Sequence, residues 1–139
     1  MRFYAVIDTN VLVSAMLKWE SAPGSIIELA LEGPIIPVLN EEILSEYKTV
    51  FLRPKFHLSE DIVTDIIESI CKVSVFVDEE DLNIDLPNPK DRVFYEVVME
   101  QRKTEDAYLV TGNNRHFPER PYIVTPRQML DIILKKMST

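Results

Sequence analysis

Short apolar runs rich in β-branched and aromatic residues alternate along this chain with stretches of helical periodicity, and that alternation limits the fold more than any other feature. Residues 2–7 (RFYAVI) read as a buried strand, and residues 11–19 follow with helical spacing. Ser21 and Pro23 start a helix that Ile26, Ile27, Leu29, Ala30 and Leu31 fill and Gly33-Pro34 stops. Residues 35–39 make a second strand. Asn40 is the expected N-cap of a helix to about residue 52, with Ile43, Leu44, Tyr47, Val50 and Phe51 at helical spacing, ended before Pro54. Ser59 caps another, in which Ile62, Val63, Ile66, Ile67 and Ile70 recur at three and four residues. Residues 73–77 (VSVFV) alternate like a strand, and the acidic stretch 78–89 with its two prolines reads as a loop. Asn88-Pro89 opens a helix carrying Val93, Phe94, Val97 and Val98, residues 107–111 and 122–125 are strands, and Thr125-Pro126 caps a last helix. Strands separated by helices of about ten residues build βαβ units, so the expected fold is α/β with a mainly parallel sheet flanked by helices. At 139 residues the expectation is one domain over 1–139, without repeat or linker.

Composition removes several kinds of chemistry. With 46% hydrophobic residues the chain is too apolar for disorder, and its longest uncharged stretch, residues 9–17, falls far short of the roughly 18 needed to span a bilayer. The N-terminal apolar run reaches Asp8 too soon for a signal peptide, so a cytoplasmic location is expected, with no membrane partner. One cysteine, Cys71, allows no internal disulfide, and His57 and His116 cannot build a histidine-rich zinc site. Gly24, Gly33 and Gly112 lie too far apart for a glycine-rich phosphate loop. Carboxylates remain, 23 of them against 15 Lys and Arg for a net charge of -8, and such a surface favours a basic partner.

In open α/β sheets the site lies outside the carboxyl ends of the strands. Two strands end there in polar residues: Ile7 precedes Asp8-Thr9-Asn10, and Val110 precedes Thr111-Gly112-Asn113-Asn114. Asp8 reads as an N-cap or as a site residue, and Asn10 as an alternative cap tips it towards the site. Asp91 has an equally good structural role, because Asn88, Pro89 and Asp91 approximate a capping box. Glu46 has Glu42, Ile43, Thr49 and Val50 three and four residues away, so no cation on its own helix compensates it. If Asp8, Glu46 and Asp91 converge, their repulsion, about 4 kcal/mol per pair at 4 Å and an effective dielectric of 20, calls for a cation. An oxygen-only cluster suits a hard ion, Mg²⁺ or Mn²⁺, and phosphodiester hydrolysis.

These segments, VIDTNVLVSA at 6–15, EEILSEY at 41–47, PNPKDRVFYEVV at 87–98 and YLVTGNNRHFP at 108–118, resemble the PIN-domain ribonucleases, in particular the small VapC-like toxins of toxin–antitoxin systems. The resemblance implies a three-layer α/β fold and an acidic site that binds one or two Mg²⁺ or Mn²⁺ and cleaves RNA. Carried onto this chain, Asp8, Glu46 and Asp91 are the catalytic and metal-binding carboxylates, with Thr9, Asn10 and Thr111 in a supporting polar shell. Asn113 stands where many members carry aspartate; it can coordinate through its carbonyl oxygen but adds no charge, which weakens a second metal site. Arg92, Arg115 and His116 flank the site as candidate phosphate contacts. The resemblance also implies a cognate antitoxin that covers the acidic site, and dimerisation, for which the apolar stripe at 129–134 competes with core packing.

Two other readings stand beside the metal-dependent ribonuclease. Asn113 leaves open a PIN fold that has lost catalysis and binds RNA or protein. A receiver-like signalling domain would also be small, acidic and α/β, but Asp8 follows the first strand, where receivers carry an acidic pair, and no lysine ends the 122–125 strand.

Overall fold

The computed structural model describes residues 2–138. Five strands, β1 (Phe3–Ile7), β2 (Ile35–Leu39), β3 (Val75–Phe76), β4 (Ala107–Val110) and β5 (Ile123–Val124), form a single all-parallel sheet in the order β3-β2-β1-β4-β5. Six helices flank it: α1 (Thr9–Leu17), α2 (Ala22–Glu32), α3 (Glu41–Phe51), α4 (Glu60–Val73), α5 (Arg92–Gln101) and α6 (Pro126–Met137). This is the expected three-layer α/β architecture. A parallel sheet needs a connection across it between successive strands and is stable when both faces are covered. The central strands show the result: Ala5, Val6, Ile35, Val38, Leu39, Leu109 and Val110 are buried on both faces. Each large aliphatic side chain so buried contributes roughly 1.5–3 kcal/mol.

The element boundaries follow local chemistry. Asn40 accepts a hydrogen bond from the Ile43 N–H at 2.8 Å, Ser59 from Ile62 at 3.2 Å, and Thr125 forms a reciprocal capping box with Gln128. Gly33, at φ 117°, ends α2 in the left-handed conformation that a side chain would strain. No helix among the described residues is long and apolar enough to cross a membrane.

Several readings are sharpened or change, and the first helix spans Thr9–Leu17 rather than 11–19. The third strand shrinks from 73–77 to Val75–Phe76, because α4 continues through Val73. Ile62 is exposed, and the buried stripe of α4 is Val63, Ile67 and Ile70. A 3-10 turn (Pro89–Asp91) precedes α5, so Asn88 opens that turn rather than the α-helix itself. The strand order disposes of the receiver reading, since receivers of the flavodoxin-like type run 2-1-3-4-5. In α6, Met129 and Ile133 are in the core while Leu134 is exposed, so core packing claims most of the 129–134 stripe.

Gly24 is the tightest backbone position. A Cβ there would lie 1.8 Å from the Trp19 carbonyl oxygen, because the turn closed by the Ser21 N–H to Trp19 bond folds that carbonyl over the start of α2. At Gly112 the nearest atom to an added Cβ is Asn10 Oδ1 at 3.4 Å, an ordinary contact. Gly24→Ala is therefore expected to destabilise by roughly 1–3 kcal/mol and lower Tm by about 5–10 °C, and Gly112→Ala to cost far less, as thermal melts of the two variants would measure.

Candidate active site

The strand order reverses beside β1: the chain moves outward through β2 and β3, then returns to place β4 on the other side. Crevices at such a switch point are where open α/β sheets bind ligands. Ile7 pairs with Val110 in register, and the Asp8 N–H donates to the Val110 carbonyl at 2.9 Å, so the ends of β1 and β4 deliver Asp8 and Thr111 side by side.

Asp8 occupies the N-cap position of α1, yet its side chain makes no capping bond. Its Oδ2 instead accepts from Thr111 Oγ1 at 2.7 Å and from Asn10 Nδ2 at 3.3 Å. Asn10 Oδ1 in turn accepts from the Gly112 N–H at 3.1 Å, and Thr111 Oγ1 from the Asn113 N–H at 3.0 Å. Asn10 is therefore a brace between the two strand ends, not an alternative cap. Each such bond contributes roughly 1 kcal/mol net, but a buried partner left unpaired costs more.

Glu46 reaches the same place from α3. Its carboxylate accepts from the Thr9 hydroxyl, and the next residue, the buried Tyr47, donates its phenol O–H to the Ile7 carbonyl. That second bond pins α3 against the end of β1 one residue before Asp8. The absent local counter-charge noted for Glu46 is thus met by a hydroxyl from another element. Glu42, one turn earlier, lines a different cleft with Asn40, Phe76 and Glu79.

Asp91 is buried at the junction of the Pro89–Asp91 turn and α5. No capping box forms: Asn88 Oδ1 accepts from the Lys90 N–H at 3.1 Å, and the Asp91 carboxylate makes no capping bond. Its Oδ2 lies 3.2 Å from His116 Nδ1 instead. Of its two readings, the structure removes the capping one.

Electrostatics link the three carboxylates. The Asp8 pKa is raised from 3.8 to about 6, first by burial and then by the charges of Asp91 and Glu46, against the lowering effect of the Thr111 hydrogen bond. Asp91 is raised by burial and partly relieved by His116. Tyr47 is pushed well above its ordinary value by burial, then by Asp8 and Glu46.

Asp8, Glu46, Asp91, Asn113 and His116 line one open cleft of about 420 Å³, together with Thr9 and Asn10. Its donors are hard oxygens, which suit Mg²⁺ or Mn²⁺. Among the described residues, however, no three His, Cys, Asp or Glu side chains stand close enough together to hold one ion. Mg²⁺ is usually held by one or two carboxylates, with waters and substrate phosphates completing its shell, a mode that does not require three side chains on one ion.

Two expected phosphate contacts do not line this cleft. Arg92 is paired with Asp81 and with Glu96, and Arg115 lines a separate cavity with Arg120 and Phe117. The cleft instead contains Arg53, Phe56 and Lys90. Lys90 was legible as the neighbour of Asp91; Arg53 and Phe56 had no sequence signal, because the connection after α3 reaches the site only through packing.

The comparisons with known proteins bear on the fold and the family. A protein of Methanocaldococcus jannaschii, "Uncharacterized protein MJ1680", is 28% identical over 117 residues, which cover 81% of this chain and 72% of that protein. The crystal structure of VapBC2 from Rickettsia felis bound to a DNA fragment from their promoter contains a chain of similar fold, with a TM-score of 0.55 and 13% identity over 88% of this chain and 97% of that one. The PIN-domain family model matches residues 4–115, a span that runs from β1 to His116's neighbour Arg115 and takes in Asp8, Glu46 and Asp91. With its parallel sheet, its switch-point cleft and that match over most of its length, the chain belongs to the PIN-domain family.

Proposed function

We propose that this protein is a divalent-metal-dependent endoribonuclease, the toxin of a type II toxin–antitoxin pair. The observation that carries the reading is the meeting of Asp8, Glu46 and Asp91 in one cleft at the switch point, where the charges of Asp91 and Glu46 add to the cost of ionising the buried Asp8. A hard cation bound there supplies charge stabilisation to phosphate oxygens and acidifies water. Thr111 and Asn10 fix the Asp8 carboxylate, Thr9 fixes that of Glu46, and His116 holds Asp91. So held, the three carboxylates orient a water for in-line attack at phosphorus, with the P–O bond to the leaving oxygen breaking opposite. The net charge of -8 and the likeness to a chain of the VapBC2 complex support a basic antitoxin that covers this cleft.

A second reading, a PIN fold that binds RNA or protein without cleaving, draws support from Asn113 in the cleft wall and from the spacing of the carboxylates. Calorimetric titration with Mn²⁺ separates the two: the nuclease binds well below millimolar, and the degenerate site does not.

Asp8→Asn is expected to reduce cleavage of single-stranded RNA in Mn²⁺ by at least roughly 100-fold, and a chelator to abolish it in the native protein. Full activity in the purified variant would sink the mechanism. Stability should move the other way in metal-free buffer. A pKa raised to about 6 means that the folded state binds this proton more tightly than the unfolded chain, so the contribution is full below pH 3.8 and is lost as pH rises through 6. Above pH 7, Asp8→Asn should therefore be more stable than the native protein by about 2–3 kcal/mol, a gap that closes towards pH 4 in melts recorded with a chelator.

A further inference from the structure

Phe56 is an aromatic residue in the wrong place for a structural one. It ends the 3-10 turn Pro54–Phe56 between α3 and α4, and its ring is half-buried. Yet it belongs neither to the hydrophobic core nor to the apolar side chains packed upon it. It lines the cleft of Asp8, Glu46 and Asp91. A ring that is sheltered by a polar cleft rather than by a core is a surface for a ligand with an apolar face.

The turn that carries it is held firmly. Pro54 fixes its own φ, the Arg53 N–H donates to the Val50 carbonyl at 3.1 Å, the Phe56 N–H to Arg53 and the His57 N–H to Pro54, also at 3.1 Å. Lys55 Nζ lies 5.1 Å from the Phe56 ring centroid, a cation over the ring. Two cations share the cleft wall, Arg53 and Lys90, and both are exposed. Their side chains form no ion pair or hydrogen bond among the described residues, although three carboxylates line the same cleft. Cations left unpaired beside an aromatic ring match the two halves of a nucleotide: phosphate oxygens for the charges and a base for the ring.

We propose that Phe56 is the stacking platform for an unpaired base of single-stranded RNA next to the scissile phosphate, with Arg53 and Lys90 holding the adjoining backbone. The assignment rests on the nuclease reading above and names a residue that contacts its substrate. Stacking accepts any base, so the platform selects single-stranded over duplex RNA rather than a sequence.

The test uses the full chain and a single-stranded RNA decamer with 2-aminopurine at one internal position, titrated in chelator so that nothing is cleaved. Native protein should quench the fluorophore. Phe56→Leu keeps the apolar bulk without the π-face, and should weaken binding by about 5- to 100-fold and lose the quenching, while Phe56→Trp retains both. The melting temperature of Phe56→Leu should stay within about 2 °C of the native value, since the ring is outside the core. The same RNA annealed to its complement should bind both proteins alike, and in Mn²⁺ the cleavage defect of Phe56→Leu should appear as a raised KM. Equal binding and quenching by Phe56→Leu and native protein, or an equal defect on the duplex, would overturn the platform. Asp8-dependent cleavage persisting in that protein would leave the nuclease reading intact. Native protein that neither binds nor cleaves single-stranded RNA would overturn both.

Discussion

The hydrogen bond from Thr111 Oγ1 to Asp8 Oδ2 joins residues 103 apart in the chain, and the candidate site is arranged around it. It exists because β1 and β4 are neighbours in a parallel sheet, although β2, β3 and five α-helices intervene between them in sequence. Parallel pairing brings both carboxyl ends to the same edge, and the register that matches Ile7 with Val110 sets Asp8 and Thr111 in step. A register slip of one residue would turn the side chains of β4 over and carry Thr111 away from the carboxylate. The buried apolar residues of these two strands resist that slip, so the core holds the site in register.

Around that bond the polar network extends outward through groups that each serve two purposes. Asn10 holds Asp8 with its amide nitrogen and the Gly112 backbone with its oxygen. Tyr47 fills the core and ties α3 to the end of β1 through its phenol, which sets the position of its neighbour Glu46. Asp8 Oδ2 accepts two side-chain hydrogen bonds and the carboxyl still has a raised pKa, since burial and two neighbouring carboxylates outweigh those bonds. Carboxylates perturbed in this way, in a cleft beside other carboxylates, cluster at functional sites.

Much of this was readable from local signals. The helix caps Ser21, Asn40, Ser59 and Thr125 fall where their side chains predict, because an N-cap depends on three or four consecutive residues. β2 is found at residues 35–39 as its composition suggests. The misreadings share one cause, competition between neighbouring structures. Residues 73–77 alternate well enough for a strand, but α4 claims Val73, and only two residues remain for the sheet. Arg92 lies beside Asp91 in sequence, yet the start of α5 turns it towards Asp81 and Glu96.

The sequence by itself determined the class of fold and the N-caps of four helices, since hydrophobic period and capping residues are local properties. It also placed Asp8 and Thr111 at strand ends. Tertiary structure alone decided that Asp91 points to His116 instead of capping its helix, that Glu46 meets Thr9, and that Arg53, Phe56 and Lys90 stand in the cleft while Arg92 and Arg115 do not. Those outcomes depend on which distant backbones pack together. Such contacts are chosen by the core as a whole, and no window of sequence contains them.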